Sequence, residues 1–206
     1  MPSPAGHSLI GLAIGMLRFV PCVPNWRSFL RVLWHQRAAL IFCIVLANIP
    51  DLDYLFGIPA ANLNLYHHTV THTAIWVLIL ALGVWACGWP DRSWKALLFV
   101  LCLVGSHLLA DIFTQDRSKP YGIMLCWPFW IHYWYSPVSI FPASAKRSLY
   151  ELFSVHNVKV VMCEILITFP LVLAVASLKI RKYRRRKDNK AGEQNSAARF
   201  QAEGKG

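Results

Sequence analysis

Three apolar stretches, residues 73–89, 95–113 and 158–178, are long enough as helices to cross the hydrocarbon core of a bilayer, which takes about 20 mostly apolar residues. A chain of 206 residues that carries several such runs has little choice of fold. At that depth every backbone polar group must be satisfied internally, so the runs become helices packed side by side. Two shorter runs, 8–20 and 38–50, bring the expectation to about five membrane-embedded helices, provided that their polar ends serve a purpose. The expected class is all-α, a polytopic membrane helix bundle over residues 1–180, followed by a tail over 181–206. A composition 56% hydrophobic and only 15% charged excludes an ordinary soluble domain. No Lys or Arg precedes the first run and no small-residue cleavage site follows it, so it reads as part of the mature chain.

Five spans would divide the basic residues unevenly. One side receives Arg18, Arg27, Arg31, Arg37, Arg92, Lys95 and the tail with its "RKYRRRK"; the other receives Arg117, Lys119, Lys146, Arg147 and Lys159. The positive-inside rule makes the first side cytoplasmic. The chain is therefore expected to be multi-pass with the amino terminus outside and the carboxyl terminus cytoplasmic. The net charge of +11 then reads as a topology signal whose partner is anionic lipid headgroups, not nucleic acid. After about residue 186 the tail is polar and reads as disordered. The six cysteines have no zinc-ligand spacing and only Cys126 falls in the outer loop, so they read as small buried hydrophobes.

This topology gathers the ionisable groups on one side. His7 opens the first span there, "IPDLD" closes the second, "HHTVTH" opens the third and "SHLLADIFT" ends the fourth. Ionisable residues at membrane depth are costly and tend to be paired and functional. His107 and Asp111 are four apart, as are His68 and His72, so each pair is expected on one helical face, with His67 off that face. His107 follows Lys95 by twelve residues, about 18 Å of helical rise, which sinks it below the surface. Imidazoles with carboxylates suit Zn²⁺ and comparable divalent ions without a thiolate. The set exceeds what one tetrahedral ion takes, so one or two ions are expected, most simply Zn, with Mn or Mg still open.

"GHSLIG", "PDLD", "HHTVTH" and "SHLLADIFT", followed by "YGIMLCWPF", resemble in order and spacing the YdjM-like family of inner-membrane proteins, regarded as metal-dependent hydrolases. The resemblance runs from His7 to Phe129 and implies a bacterial-type inner (cytoplasmic) membrane as the location. It implies His7, Asp51, Asp53, His67, His72, His107 and Asp111 as metal ligands, with Thr71 and Thr114 as supporting hydrogen bonders. The chain departs from the family where His68-Thr69 replaces the usual Arg-Gly, and where "QDRSKPY" lengthens the stretch before Gly122. The motif pattern is also distantly similar to zinc-dependent phospholipase C and P1 nuclease, although no His-x-x-x-Glu partner is present.

The expected activity is hydrolysis of a phosphoester or other ester in a lipid or lipid-linked substrate, by metal-activated water, at the outer leaflet. His68 is the candidate acid or base. Glu164, about 9 Å into the last span, is a second catalytic candidate, with an ion pair to Lys159 or a histidine as its plainer role. "CWPFWIHYWYSP" packs Trp127, Phe129, Trp130, Tyr133, Trp134 and Tyr135 into an interfacial anchor or a lid over the pocket. Arg117, Lys119, Lys146 and Arg147 are available for an anionic headgroup. The alternatives are a divalent-metal or proton-coupled transporter, which predicts polar groups continuing across the membrane, and a non-catalytic scaffold acting through its tail. The identity of any protein partner is left open by the sequence.

Overall fold

The computed structural model describes residues 2–63, 65–114, 121–146 and 148–203. Its helices are α1 Pro4–Phe19, α2 Trp26–His35, α3 Arg37–Asn48, α4 Tyr54–Gly57, α5 Ala74–Ala86, α6 Trp94–Ile112, α7 Leu149–Leu152 and α8 Val155–Glu203. Two 3-10 turns, Ile49–Asp53 and Val70–His72, interrupt them. Among the described residues only two isolated β-bridges occur and no strand, so the chain is an all-α bundle. Arg117, Lys119, Arg147 and most of the "QDRSKPY" stretch lie outside the described residues.

Among the described residues three segments are long and apolar enough to cross a membrane: Arg37–Gly57, Trp94–Ile112 and Val155–Gln194. The run 73–89 is shorter as a helix than its hydropathy suggests. The Thr73 hydroxyl accepts from the Trp76 backbone at 3.1 Å, which starts α5 at Ala74, and α5 ends after 13 residues. The run 38–50 is longer than expected, because the chain keeps turning through Ile49–Asp53 and α4 to Gly57. Pro50 sits in the first turn of the 3-10 segment, where its missing N–H leaves no bond unmade.

Close packing of α1 on α3 follows from two glycines. A Cβ on Gly11 would lie 2.6 Å from Ala47 Cβ, and one on Gly15 would lie 2.9 Å from Cys43 Sγ. Small residues four apart let helix backbones approach inside a membrane, where lipid removes the hydrophobic drive for association. Leu46, Ala47, Val77, Ala81, Val100, Leu103 and Val104 then fill one core between α3, α5 and α6. A second core joins Ala13 and Met16 of α1 to Phe29 of α2 and to Val175, Ala176 and Ile180 of α8.

Two segments depart from the sequence reading. Residues 26–35, counted above as a basic loop, form α2, capped by the Asn25 side chain, which accepts from Ser28 N at 3.0 Å. Phe29 is buried, whereas Trp26, Leu30 and Trp34 form an exposed stripe at four-residue spacing. At the other end α8 runs on as helix to Glu203 where a disordered end was expected. That stretch is rich in Lys, Arg, Ala, Gln and Glu, all good helix formers, so local propensity favours the continuation even where residues 187–194 are exposed.

Candidate metal centre

The helix ends converge on one buried basket. Gly11 holds α1 against α3 at Ala47, and the Ala47 carbonyl accepts from His107 Nδ1 of α6 at 2.7 Å. That contact fixes the His107 ring and turns its Nε2 into the space between the helices. His7, one turn into α1, stacks on His107 with ring centroids 3.7 Å apart and planes 14° apart. Asp51 comes from the 3-10 turn after α3, His72 from the one before α5, and Asp111 from the last turn of α6. All five side chains are buried.

Four atoms enclose a small volume: His72 Nε2, His107 Nε2, Asp51 Oδ1 and Asp111 Oδ2. The two nitrogens are 3.2 Å apart. His72 Nε2 lies 3.7 Å from Asp51 Oδ1 and 3.5 Å from Asp111 Oδ2. His107 Nε2 lies 3.5 Å and 3.3 Å from the same oxygens. Four donors about 2.0–2.2 Å from a central tetrahedral ion are roughly 3.3–3.6 Å from one another. The five spacings here, from 3.2 to 3.7 Å, are close to those edges, and the basket's His/Asp groups can hold a metal ion.

Hydrogen bonding makes the same case independently. With its Nδ1–H given to Ala47, a neutral His107 presents a bare lone pair at Nε2. His72 Nδ1 lies 3.0 Å from Thr71 Oγ1 and 3.2 Å from Asp53 Oδ2, so its proton belongs there and its Nε2 is bare as well. Asp51 Oδ1 and both Asp111 oxygens are buried without a hydrogen-bond partner among the described residues. Lone pairs facing one another at low dielectric need positive charge between them. Asp111 Oδ1 turns to His7 Nε2 at 3.4 Å, so this carboxylate reaches two positions, and His7, Asp51 and His107 form a further metal-capable group.

Asp53 and His67, expected as ligands, sit where they orient His72. Asp53 Oδ1 accepts from His67 Nδ1 at 2.8 Å, and its Oδ2 accepts from Thr71 Oγ1 at 2.7 Å. Tyr54 donates to His67 Nε2 at 2.9 Å and stacks on its ring. An imidazole whose second nitrogen is held by a carboxylate or carbonyl is the usual support for a metal-bound histidine. Asp51, His67 and His72 nevertheless also form a metal-capable group. Tyr54 and the Ala47 carbonyl were not anticipated; Tyr54 had a signal, as the residue that follows "PDLD".

The third motif is not the helix that its spacing suggested. His68 has φ +65 and precedes the 3-10 turn, so His68 and His72 are not related by a helical turn. They meet through the loop instead, with ring centroids 5.3 Å apart, and His67 lies 4.7 Å from His72 rather than off the face. Burial, and then the Lys146 ammonium, hold the pKa of both His67 and His68 well below the usual histidine value, so both are neutral at pH 7. Lys146 lies 5.7 Å above the Tyr54 ring and is the one outer cation of the four expected that the described residues include.

Glu164 is engaged elsewhere. Its carboxylate accepts from Ser3 N at 2.8 and 2.9 Å and from the Ser3 hydroxyl, so it holds the α1 N-cap, four residues before His7, instead of pairing with Lys159 or a histidine. None of the metal-capable groups includes it. Thr71 supports the site as expected, while Thr114, just past the end of α6, donates back to Ala110 O.

The loop after α6 joins the third motif and the start of α5 by its backbone. Leu125 O accepts from Ala74 N at 2.9 Å and His68 O accepts from Met124 N at 3.4 Å. Gly122 is required at its position, with φ +86 and space for a Cβ only 2.2 Å from Trp134 O. Phe129, Trp130, Ile131 and Tyr135 point outward and are exposed. A cavity of about 490 Å³ beside the basket is lined instead by Asp53, Phe56, Tyr66, Val70, Thr71 and Trp76.

The model of a family described as YdjM inner membrane protein matches residues 1–185. The match extends the resemblance past Phe129 through the helix that carries Glu164, which is physically reasonable because α8 builds the start of α1. No curated protein and no solved structure matches the chain, and the likeness to phospholipase C finds no support there.

Proposed function

We propose that this chain, which belongs to the YdjM inner membrane protein family, is a membrane-bound metal-dependent hydrolase of a phosphoester or other ester in a lipid or lipid-linked substrate. The observation that carries the reading is the set of five contacts, from 3.2 to 3.7 Å, among His72, His107, Asp51 and Asp111. Zinc is the ion that this donor set and spacing suit best. A divalent ion held there supplies Lewis acidity, polarising the scissile bond and acidifying water.

The chain's own residues do the rest. Asp53, Thr71 and the Ala47 carbonyl keep the coordinating nitrogens of His72 and His107 bare. His68, neutral and buried beside His67, is the candidate to take or return a proton. The neighbouring cavity joins the polar edge of Asp53 and Thr71 to Phe56, Tyr66, Val70 and Trp76, which suits an amphiphile with one apolar arm. Lys146 offers positive charge for an anionic group at the same side. In the orientation set by the basic residues, five embedded helices place the amino terminus outside and the tail in the cytoplasm. Below the basket the described core is apolar, with Val77, Ala81, Val100, Leu103 and Val104, which favours a one-sided site over a transport path.

Metal analysis of the full chain purified in detergent tests the proposal. One or two equivalents of a divalent ion are expected, lost in His107→Ala and Asp111→Ala. A folded wild type that takes up none removes the basis for hydrolysis. If metal is bound, phospholipid, lipid phosphate and simple phosphodiester substrates are the ones to screen.

A further inference from the structure

At the other end of the bundle, α1 and α8 part around a cavity of about 750 Å³. Its position follows from α8: Glu164 grips Ser3 at the start of α1, whereas Lys179 donates to the Leu17 carbonyl at 2.9 Å near its finish. Leu178, Lys182, Arg185 and Asn189 line the cavity at steps of four, three and four residues, so one face of α8 carries them. Arg181 and Arg186 flank that face, and Leu17 of α1 supplies the opposing apolar wall. No carboxylate lines the cavity, and among the described residues Arg181, Lys182, Arg185 and Arg186 make no ion pair.

Such a concentration of cations around one concavity repels itself and favours a ligand with negative charge. The height of the cavity says which ligand. α2 packs Phe29 into the core formed by α1 and α8, and its exposed Trp26, Leu30 and Trp34 run beside Arg27 and Arg31. An apolar aromatic stripe flanked by arginines marks the boundary between headgroups and hydrocarbon. Phe29 shares its core with Ile180, the neighbour of Arg181, so the first cations of the cavity stand at that level, and the exposed Leu17 and Leu178 side chains adjoin it. We propose that the cleft between α1 and α8 binds the phosphate headgroup of one anionic phospholipid, with an acyl chain laid along Leu17 and Leu178. Guanidinium groups suit this task, since they bind phosphate oxygens in pairs. The site is independent of the metal centre and of any hydrolytic activity.

Native mass spectrometry of the full chain in neutral detergent, titrated with phosphatidylglycerol, phosphatidylcholine or inorganic phosphate, tests this. Phosphatidylglycerol should bind at one equivalent at least about tenfold more tightly than phosphatidylcholine, and inorganic phosphate should not displace it. Arg181→Gln with Arg185→Gln should weaken phosphatidylglycerol roughly 30-fold. Arg27→Gln with Arg31→Gln removes the same charge from α2 and should cost less than about threefold. Should the first pair lower the melting temperature, Lys182→Gln with Arg186→Gln gives the same reading. Equal losses from cleft and α2 pairs would mean diffuse attraction to the surface and overturn the site. Equal binding of the two lipids, or displacement by inorganic phosphate, would overturn it also.

Discussion

Replacing Asp53 by asparagine separates a ligand from a residue that orients one. Asp53 accepts from His67 Nδ1 through one oxygen and from Thr71 through the other, and Thr71 in turn lies 3.0 Å from His72 Nδ1. Asparagine keeps one acceptor. Turned toward Thr71, that oxygen preserves the chain to His72 and leaves its NH₂ against His67 Nδ1. His67 escapes the clash by moving its proton to Nε2, where the Tyr54 hydroxyl at 2.9 Å can accept it. The coordinating nitrogen of His72 therefore stays bare, and the site survives with a weaker support. Two charge-assisted hydrogen bonds become neutral ones, each losing about 1–1.5 kcal/mol. Together these are about 2–3 kcal/mol, which caps the loss in metal affinity at roughly 30–150-fold and overlaps the 10–100-fold usual for such outer partners. Zinc competition against a chelator in detergent, at fixed pH, measures this. The expected result is full stoichiometry with weakened affinity for Asp53→Asn, and no retained ion for Asp111→Asn. Complete loss of metal in Asp53→Asn would make Asp53 a ligand, and unchanged affinity would end the orienting role.

Gly11→Ala puts a methyl 2.6 Å from Ala47 Cβ and should destabilise the fold by about 1–3 kcal/mol while weakening metal binding, because Ala47 carries the His107 acceptor. An unchanged melting temperature would refute this. Glu164→Gln should lower the melting temperature through the Ser3 cap and leave the metal content intact; lost hydrolysis with unchanged melting would restore the catalytic role expected from the sequence. His68 has a folded pKa below its unfolded value of about 6.5, so its stabilising contribution is complete above that pH. Below about pH 6.5 the unfolded chain takes up protons first, and stability falls toward the folded pKa. Metal-free protein should thus melt at lower temperature at pH 5 than at pH 7.5, and His68→Gln should narrow the difference; an equal or larger difference counts against a buried neutral His68.

What could be read from the chain depended on whether the backbone stayed regular. His107 and Asp111 were legible as a pair because α6 is a helix through both, and their contact is 3.3 Å. The link between His68 and His72 rested on the same spacing and held only in outcome, since Thr73 starts α5 after both. No periodicity reports a loop conformation with φ +65. Glu164 carried no sequence signal for its partner, which lies 161 positions away and depends on how α8 crosses α1. α2 was legible and missed: Trp26, Leu30 and Trp34 recur every four residues, a signal that counting arginines hides.

The side chains of the basket come from places where helices stop, and membrane physics ties those two facts together. Asp51 and Asp53 follow α3, His72 precedes α5, Asp111 ends α6 and His7 begins α1. Helix interiors have few positions that face three neighbours at once, whereas ends do, but each end frees backbone groups that lipid cannot satisfy. Those groups are tolerable only where protein surrounds them. Leu125 and Met124 meet that need at Ala74 and His68, pairing backbone groups left free between the third motif and α5. The loop after α6 thus has a structural duty beside the basket that its exposed aromatic rings do not share: the rings suit anchoring in a headgroup layer, while the backbone beneath them pairs with Ala74 and His68.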